Sequence, residues 1–439
     1  MAYEFRLEQK LNQDMLPKNK NDQNLIGRLQ LIAGTKQNPN QKSKSNLVFL
    51  LDSSSSMDEN YYQTGKSKRQ VVYDAVQSLM TNIDGQDTVS IISFHSQAIL
   101  RGDHVPGSAK SAITSILNEY MNDNGATNFE DAMEKAFAIC NNRSNESHKL
   151  IFLTDGNANI GSNQRALDLC RQLATKGHTT DAMGIGGNFD FNFMKQFSDL
   201  SGSITENIIQ AKQAESLFKK IYQSAGNTFL KKIFLNIFFQ KGVRDIHFFM
   251  HMPEKKNLHQ YAKRHQIGTL VTVNAGDIEQ NDFKEYIFSC TVDTPNAPNM
   301  HIAEITVNYD CPSENIQNGQ SQQNIHLNLG SDPAQIIHFG EVNTAWKDIE
   351  ILIEQEEALK LVERGKYADA ALRLEKMGDL AASLGDRENA TALRELANKV
   401  KRDHKLTQAD MNRISKTSST VSARSTMQTS AQQADSPIF

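Results

Sequence analysis

The first long apolar run, residues 47–51, is closed by a polar loop and followed by a helical period over about 66–80 that puts Val71, Val72, Ala75 and Leu79 on one stripe. A second strand is expected over 88–94. The alternation then repeats, with a helix over 129–139, an apolar run at 150–153, a helix over 165–174, a strand at 180–185 and helices near Phe191 and Ala214. Short buried strands separated by amphipathic helices predict an α/β fold, a doubly wound and mostly parallel sheet covered on both faces. From about 228 to 340 the hydrophobic period drops to two, as in 286–292 and 301–309, with punctuation such as Thr294-Pro295-Asn296. That pattern is a β-sandwich.

Segments 3–7 and 25–31 are also strand-like, yet they precede the α/β region behind a polar linker at 35–45. They are expected to complete the sandwich, which makes the α/β domain an insertion in an all-β domain. Insertion is tolerated when the ends of the inserted domain lie close together. Beyond Asn343 the period returns to helical, with Trp346, Ile349, Leu352, Leu359 and Val362 on one stripe and a turn at Gly365-Lys366-Tyr367. A second helix holds Leu372, Leu374, Met377 and Leu380, and a third holds Leu393, Leu396 and Val400. The Ser-, Thr- and Gln-rich remainder shows no periodic apolar face and is expected to be disordered. The predicted organisation is therefore sandwich strands and linker over 1–44, the α/β domain over 45–225, the sandwich over 226–342, a small helical region over 343–404 and a tail over 405–439.

Composition narrows the function. Lys plus Arg total 47 against 51 Asp plus Glu, a net charge of −4, so no electrostatic footprint for nucleic acid or an anionic membrane is present. The most apolar stretch, around 233–239, is too short to span a bilayer and is flanked by lysines. Charges occupy the N-terminal positions where a secretion signal would have its apolar core, so a cytoplasmic protein is expected. Cys140, Cys170, Cys290 and Cys311 form no close pair and fit reduced thiols.

Three loops carry candidate chemistry. Asp52-Ser53-Ser54-Ser55-Ser56 follows the first apolar strand, Gly125-Ala126-Thr127-Asn128 precedes a helix, and Leu153-Thr154-Asp155-Gly156 ends another apolar strand. Alternate residues Asp52, Ser54 and Ser56 can turn their oxygens inward together. In an open parallel sheet the carboxyl ends of the strands form the ligand crevice, where the three loops converge. Oxygen donors without Cys or His select Mg²⁺, Mn²⁺ or Ca²⁺ over zinc.

On these residues the chain resembles the von Willebrand factor type A family, with every position of its metal-ion-dependent adhesion site filled. The resemblance implies that the Ser54, Ser56 and Thr127 hydroxyls contact a divalent ion, Mg²⁺ first and Mn²⁺ or Ca²⁺ as alternatives. Asp52 and Asp155 then ligate the ion or hold its waters. It further implies recognition without catalysis, a partner's Asp or Glu taking the open position. One departure is Ser55, where many relatives have Gly. A second role implied by relatives is that of accessory subunit to an AAA+ ATPase of the MoxR or chelatase type; a surface adhesin would need export. The wider layout is similar to bacterial proteins related to inter-alpha-trypsin inhibitor heavy chains and calcium-activated chloride channel regulators. No HExxH helix occurs, so protease activity is not implied.

Other motifs have plainer readings. Gly65-Lys66-Ser67 lacks the first glycine of a phosphate loop and reads as a helix start. Arg101-Gly102-Asp103 reads as a turn after the second strand. His247 and His251 read as ordinary sandwich histidines, and Asn142-Arg143-Ser144 and Asn389-Ala390-Thr391 as glycosylation acceptors only in a secreted protein. The helices after Asn343 form either a cap on the sandwich or a partner groove, and the tail either a linker or a phosphorylated segment for a phosphopeptide-binding protein.

Overall fold

The computed structural model describes residues 5–34, 45–61, 64–143, 148–187, 189–208 and 211–419. Tyr3, the linker at 35–44, Ser144 and the last part of the tail, 420–439, lie outside them. The chain opens with strands β1 (Phe5–Leu11), β2 (Met15–Pro17) and β3 (Lys20–Ala33). The α/β domain follows as β4 (Asn46–Asp52), α1 (Lys68–Met80), β5 (Thr88–Phe94), β6 (Ala98–Pro106), α2 (Lys110–Tyr120), α3 (Phe129–Asn142), β7 (His148–Thr154), α4 (Asn163–Thr175), β8 (Thr179–Ile185), α5 (Phe191–Ser201), β9 (Thr205–Ile208) and α6 (Ala211–Asn227). Its six-stranded sheet has the order β6-β5-β4-β7-β8-β9, parallel except for the edge strand β6. Period-two alternation splits β4 between two cores. Leu47, Phe49 and Leu51 pack with α1, α2 and α6 on one face, and Val48 and Leu50 pack with α3, α4 and α5 on the other.

The sandwich resumes with β10 (Thr228–Gln240), β11 (Val243–Met252), β12 (Lys256–Asn257), β13 (Ala262–His265), β14 (Gly268–Glu279), β15 (Phe283–Thr294), β16 (Asn299–Cys311) and β17 (Ile316–Gly330). One sheet runs β1-β3-β15-β11-β12 and the other β13-β14-β10-β16-β17-β2. The α/β domain is thus inserted in an all-β sandwich, because β3 pairs antiparallel with β15 across the whole insertion. Leu25, Leu29 and Leu31 of β3 enter the same core as Leu235, Phe288 and Ile305. Gly27 is required there, since a Cβ would lie 2.1 Å from the Phe288 ring.

Helices α7 (Gly340–Glu363), α8 (Tyr367–Ser383), α9 (Arg387–Asp403) and α10 (Gln408–Ser419) complete the described chain. Val342, Ala345, Ile349 and Leu352 of α7 lie on Ile26, Phe249 and Ile287, the outer face of the five-stranded sheet. A buried charged cluster reinforces this contact. Asp348 of α7 accepts from Lys255 Nζ at 2.7 Å and lies 3.2 Å from His251 Nε2, while His251 Nδ1 lies 2.6 Å from Glu285 Oε1. Burial disfavours the imidazolium, but the two carboxylates outweigh it and push His251 up to about 9. Because the folded value exceeds the unfolded one, this contribution is complete below about pH 6.5 and lost as pH rises through about 9. Burial raises Asp348, but Lys255 and His251 outweigh it and hold its carboxyl depressed, so its contribution is lost only in acid, below the ordinary carboxylate range. We predict that thermal unfolding followed by circular dichroism shows the helical region losing roughly 3 kcal/mol between pH 7 and 10, by linkage. An unchanged transition over that range would show that the cluster adds no net stability.

Two expectations need correction. Residues 408–419 of the expected disordered tail form α10, capped reciprocally by Thr407 and Asp410. Among its described side chains the buried ones are Asn412, Ile414 and Ser415, so two of those three are polar and the period is hard to read. Asn412 accepts from Phe191 N at 3.3 Å and donates to Phe189 O at 2.9 Å, fixing the helix on the α/β domain. Arg101-Gly102-Asp103 is not a turn but part of the edge strand β6. The β5–β6 register shifts on either side of Gly102, and a Cβ on this residue would meet Ile116 at 2.7 Å.

The α/β domain also touches the sandwich directly. Lys284 Nζ donates to Gly202 O at 2.9 Å, and Asn274 Nδ2 donates to Ala174 O at 2.8 Å. Gly202 (φ +66°) lies backbone to backbone against Ala275 and Gly276, where a Cβ would be 2.6 Å from Gly276 N.

Candidate metal centre

Strand β4 ends at Asp52, and Ser53 N extends its pairing by one bond, donating to Phe94 O at 2.7 Å. The chain then turns through a single 3₁₀ turn, Ser55–Asp58. This turn aims the alternate side chains of the loop inward. Ser54 N donates to Asp52 Oδ1 at 2.8 Å, and Thr154 Oγ1 donates to Asp52 Oδ2 at 2.5 Å. Ser54 Oγ and Ser56 Oγ are 3.2 Å apart, and Ser56 Oγ donates to Asp155 Oδ1 at 2.7 Å. Four of the five expected residues therefore form one hydrogen-bonded cluster at the carboxyl ends of β4 and β7.

Thr127, the fifth, stands in the neighbouring loop, which is stitched to both others. Ser55 N donates to Gly125 O at 3.0 Å, and Thr127 N donates to Asn159 Oδ1 at 2.8 Å. Gly125 has φ +146°, and a Cβ there would lie 2.6 Å from Ser96 Oγ, so the loop passes close to the end of β5 only because this residue is glycine. Asp52, Ser54, Thr127 and Asp155 are buried, Ser56 is half-buried, and Ser55, Asn124, Asn157 and Asn159 are exposed around them.

Four supporting residues were not anticipated. Tyr120 OH donates to Asp52 O at 3.0 Å, and Thr154 fixes the Asp52 carboxylate. Arg69, 1% exposed, donates to Ser53 O at 3.0 Å and Ser54 O at 3.2 Å while paired with Asp58 at 3.0 Å. Lys68 Nζ lies 2.7 Å from both Asp155 Oδ2 and Glu59 Oε2. The one available signal was the Lys68-Arg69 pair in the first turn of α1, where the helix dipole disfavours cations.

Burial and neighbouring charge set the electrostatics of the site. Burial pushes Asp52 up to about 6, hydrogen bonds from Thr154 and Ser54 pull it part of the way back, and the charge of Asp155 raises it again. Burial disfavours the Lys68 ammonium, yet Asp155 and Glu59 together hold it above the ordinary lysine value. Among the described residues no three His, Cys, Asp or Glu side chains come together as a metal site, so a cation here needs hydroxyls as well as carboxylates. The donor set, two carboxylates and three hydroxyls, fits a hard divalent ion.

An open α/β sheet with an oxygen-only cluster at its strand ends defines a class of metal-dependent binding domains. Residues 47–157 match the family model of the von Willebrand factor type A domain. Inter-alpha-trypsin inhibitor heavy chain H2 from Mesocricetus auratus is 28% identical over 217 residues, 46% of this chain, and the human protein of that name is 24% identical over 206 residues. The match spans only 22% of the hamster relative's length. Among solved structures, a von Willebrand factor type A protein from Catenulispora acidiphila superposes with a TM-score of 0.76 at 16% identity, covering 94% of this chain and 96% of that one. The ArnB paralog VWA2 from Sulfolobus acidocaldarius covers 95% of this chain and 98% of its own, with a TM-score of 0.56 at 13% identity. At those identities the likeness is one of fold, and it extends over the whole three-part layout.

Proposed function

We propose that the protein is a non-enzymatic interaction protein that grips a carboxylate of a protein partner through a divalent ion, Mg²⁺ in first place, held by Asp52, Ser54, Ser56, Thr127 and Asp155. The observation that carries this reading is the hydrogen-bonded cluster of Asp52, Ser54, Ser56 and Asp155, buried below and bordered by exposed residues above. A bound divalent ion would supply an electrophilic coordination position open to the partner. The chain's own groups do the rest. Thr154 and Ser54 N hold Asp52 in place, Arg69 fixes the carbonyls of the serine loop, and the three hydroxyls add no negative charge to that of the two carboxylates. Among the described residues no helix is long and apolar enough to cross a membrane, and the reading does not depend on the compartment.

Affinity capture with the full chain tests it. Chelation and Asp155→Ala should each remove the same partners, and restoring Mg²⁺ should rescue only the wild type. A chain ending after Ser419 should keep them; earlier truncation would remove α10, which packs on the domain. If chelation changes nothing while loss of the helices after Asn343 empties the capture, recognition lies in the helical region. Capture of an ATPase would instead support the accessory-subunit reading.

A further inference from the structure

Resting on that reading, we infer that Lys68 is a positioning residue that sets the site's preference for an anionic partner: it cancels the charge of Asp155 from behind and leaves the ion-loaded site with a net positive charge. The geometry divides the two oxygens of Asp155. Oδ1 faces the serines and accepts from Ser56 Oγ at 2.7 Å, whereas Oδ2 faces away and accepts from Lys68 Nζ at 2.7 Å. The ammonium has three acceptors for its three protons, the others being Glu59 Oε2 at 2.7 Å and the main-chain oxygen of Ser56 at 3.3 Å. It therefore touches two of the proposed ligand residues, one through the side chain and one through the backbone.

Its position is unfavourable for folding on two counts. A cation in the first turn opposes the helix dipole, and the side chain is only 8% exposed, so its charge is desolvated. Arg69 beside it already holds the loop carbonyls and is itself paired with Asp58, so Lys68 is not needed to shape that part of the turn. What Lys68 adds is charge. The buried charged groups at the site are Asp52, Asp155, Lys68 and Arg69, since Glu59 and Asp58 are 60% and 51% exposed and screened by water. Two negative charges and two positive sum to zero, and a divalent ion brings the sum to +2. Arg69 reaches the serine loop only through main-chain oxygens, whereas Lys68 sits on Asp155 itself, so removing Lys68 takes one positive unit away next to the ion. With Lys68 in place the site binds its ion less tightly and completes its charge balance with an external carboxylate.

The test uses Mn²⁺ as the ion and acetate as the carboxylate probe, with the full chain. Lys68→Met removes the charge and keeps the length of the stem; Lys68→Gln keeps polar contact without charge; Lys68→Arg keeps the charge. Calorimetry should show Mn²⁺ binding tighter by on the order of tenfold in Lys68→Met and Lys68→Gln, as expected for removing a like charge a few ångströms away. Paramagnetic broadening of the acetate methyl signal should show acetate binding to the Mn²⁺-loaded protein weakened several-fold in both. Lys68→Arg should restore wild-type values. A purely structural role would weaken ion and acetate together in both neutral variants, and that result overturns the inference while leaving the metal site standing. Equal values in wild type and both neutral variants overturn it as well. Absence of Mn²⁺ binding in the wild type would overturn the proposed function itself, a separate outcome.

Discussion

Asp52→Asn should abolish divalent-ion binding and, in the ion-free protein, make the α/β domain more stable. The side chain is fully buried, and its carboxylate accepts from Ser54 N and Thr154 Oγ1. An amide keeps both contacts, with its oxygen toward Ser54 N and its nitrogen toward the Thr154 hydroxyl, and removes the buried charge. The rise of Asp52 from 3.8 to about 6 corresponds to roughly 3 kcal/mol of cost for the ionised form. The pH dependence runs in the same direction as that of His251, in a lower window. A carboxyl whose folded pKa lies above its unfolded one costs nothing below about pH 4 and its full amount above about pH 6. Ion-free wild type should therefore lose stability as pH rises across that window, and the variant should not. Calorimetric titration with Mg²⁺ or Mn²⁺ and melting curves with and without chelator measure both halves. Wild-type ion affinity in Asp52→Asn would remove Asp52 from the site, and Thr127→Ala, which loses one neutral donor that water can replace, should be milder.

The second large effect concerns the other end of the chain. A protein beginning at Ser45 should aggregate, because β3 lies between β1 and β15 and its loss uncovers β15 from Phe283 to Thr294. Leu25, Ile26, Leu29, Leu31 and Ile32 are all buried. At about 2 kcal/mol each their removal costs roughly 10 kcal/mol, comparable to the whole stability of a domain. Ile26 also belongs to the patch that seats α7, so the helical region should come loose as well. Size-exclusion chromatography and melting curves decide this. A soluble, monomeric and cooperatively unfolding chain from Ser45 would show that the N-terminal strands are dispensable to the sandwich.

Where burial follows a simple period, the sequence was a good guide. The runs of β4, β7 and β8 and the stripes of α1, α3 and α4 could be read because each buries apolar side chains at spacing two or 3.6. The loop residues at the strand ends could be read because their chemistry is local. Strand β6 escaped because it is a bulged edge with only Ala98 and His104 buried, and α10 because two of the three buried side chains described in it, Asn412 and Ser415, are polar. Lys68, Arg69, Tyr120 and Thr154 escaped for another reason. Each supports the site through contacts that only the folded chain makes: Tyr120 and Thr154 lie 68 and 102 positions from Asp52, Lys68 finds Asp155 87 positions away, and Arg69 turns back from α1 onto the serine loop. The interior charges Lys255 and Asp348 are likewise 93 positions apart, and nothing in either segment signals the other.

The contact of α10 with the α/β domain closes a ring. The α/β domain meets the sandwich through Gly202 and Lys284, the sandwich holds α7, and α10 returns to the domain at Phe189 and Phe191 through Asn412. The loop it grips is linked to the site, since Asp190 N donates to Asn157 Oδ1 at 2.9 Å and Asn157 stands two residues after Asp155. A ring of three bodies has no free hinge. A load applied at the strand-end cluster would divide between the strand junctions with the sandwich and the helical strut, so neither route would carry the full load and the domain would resist being swung or peeled away from the body that holds it.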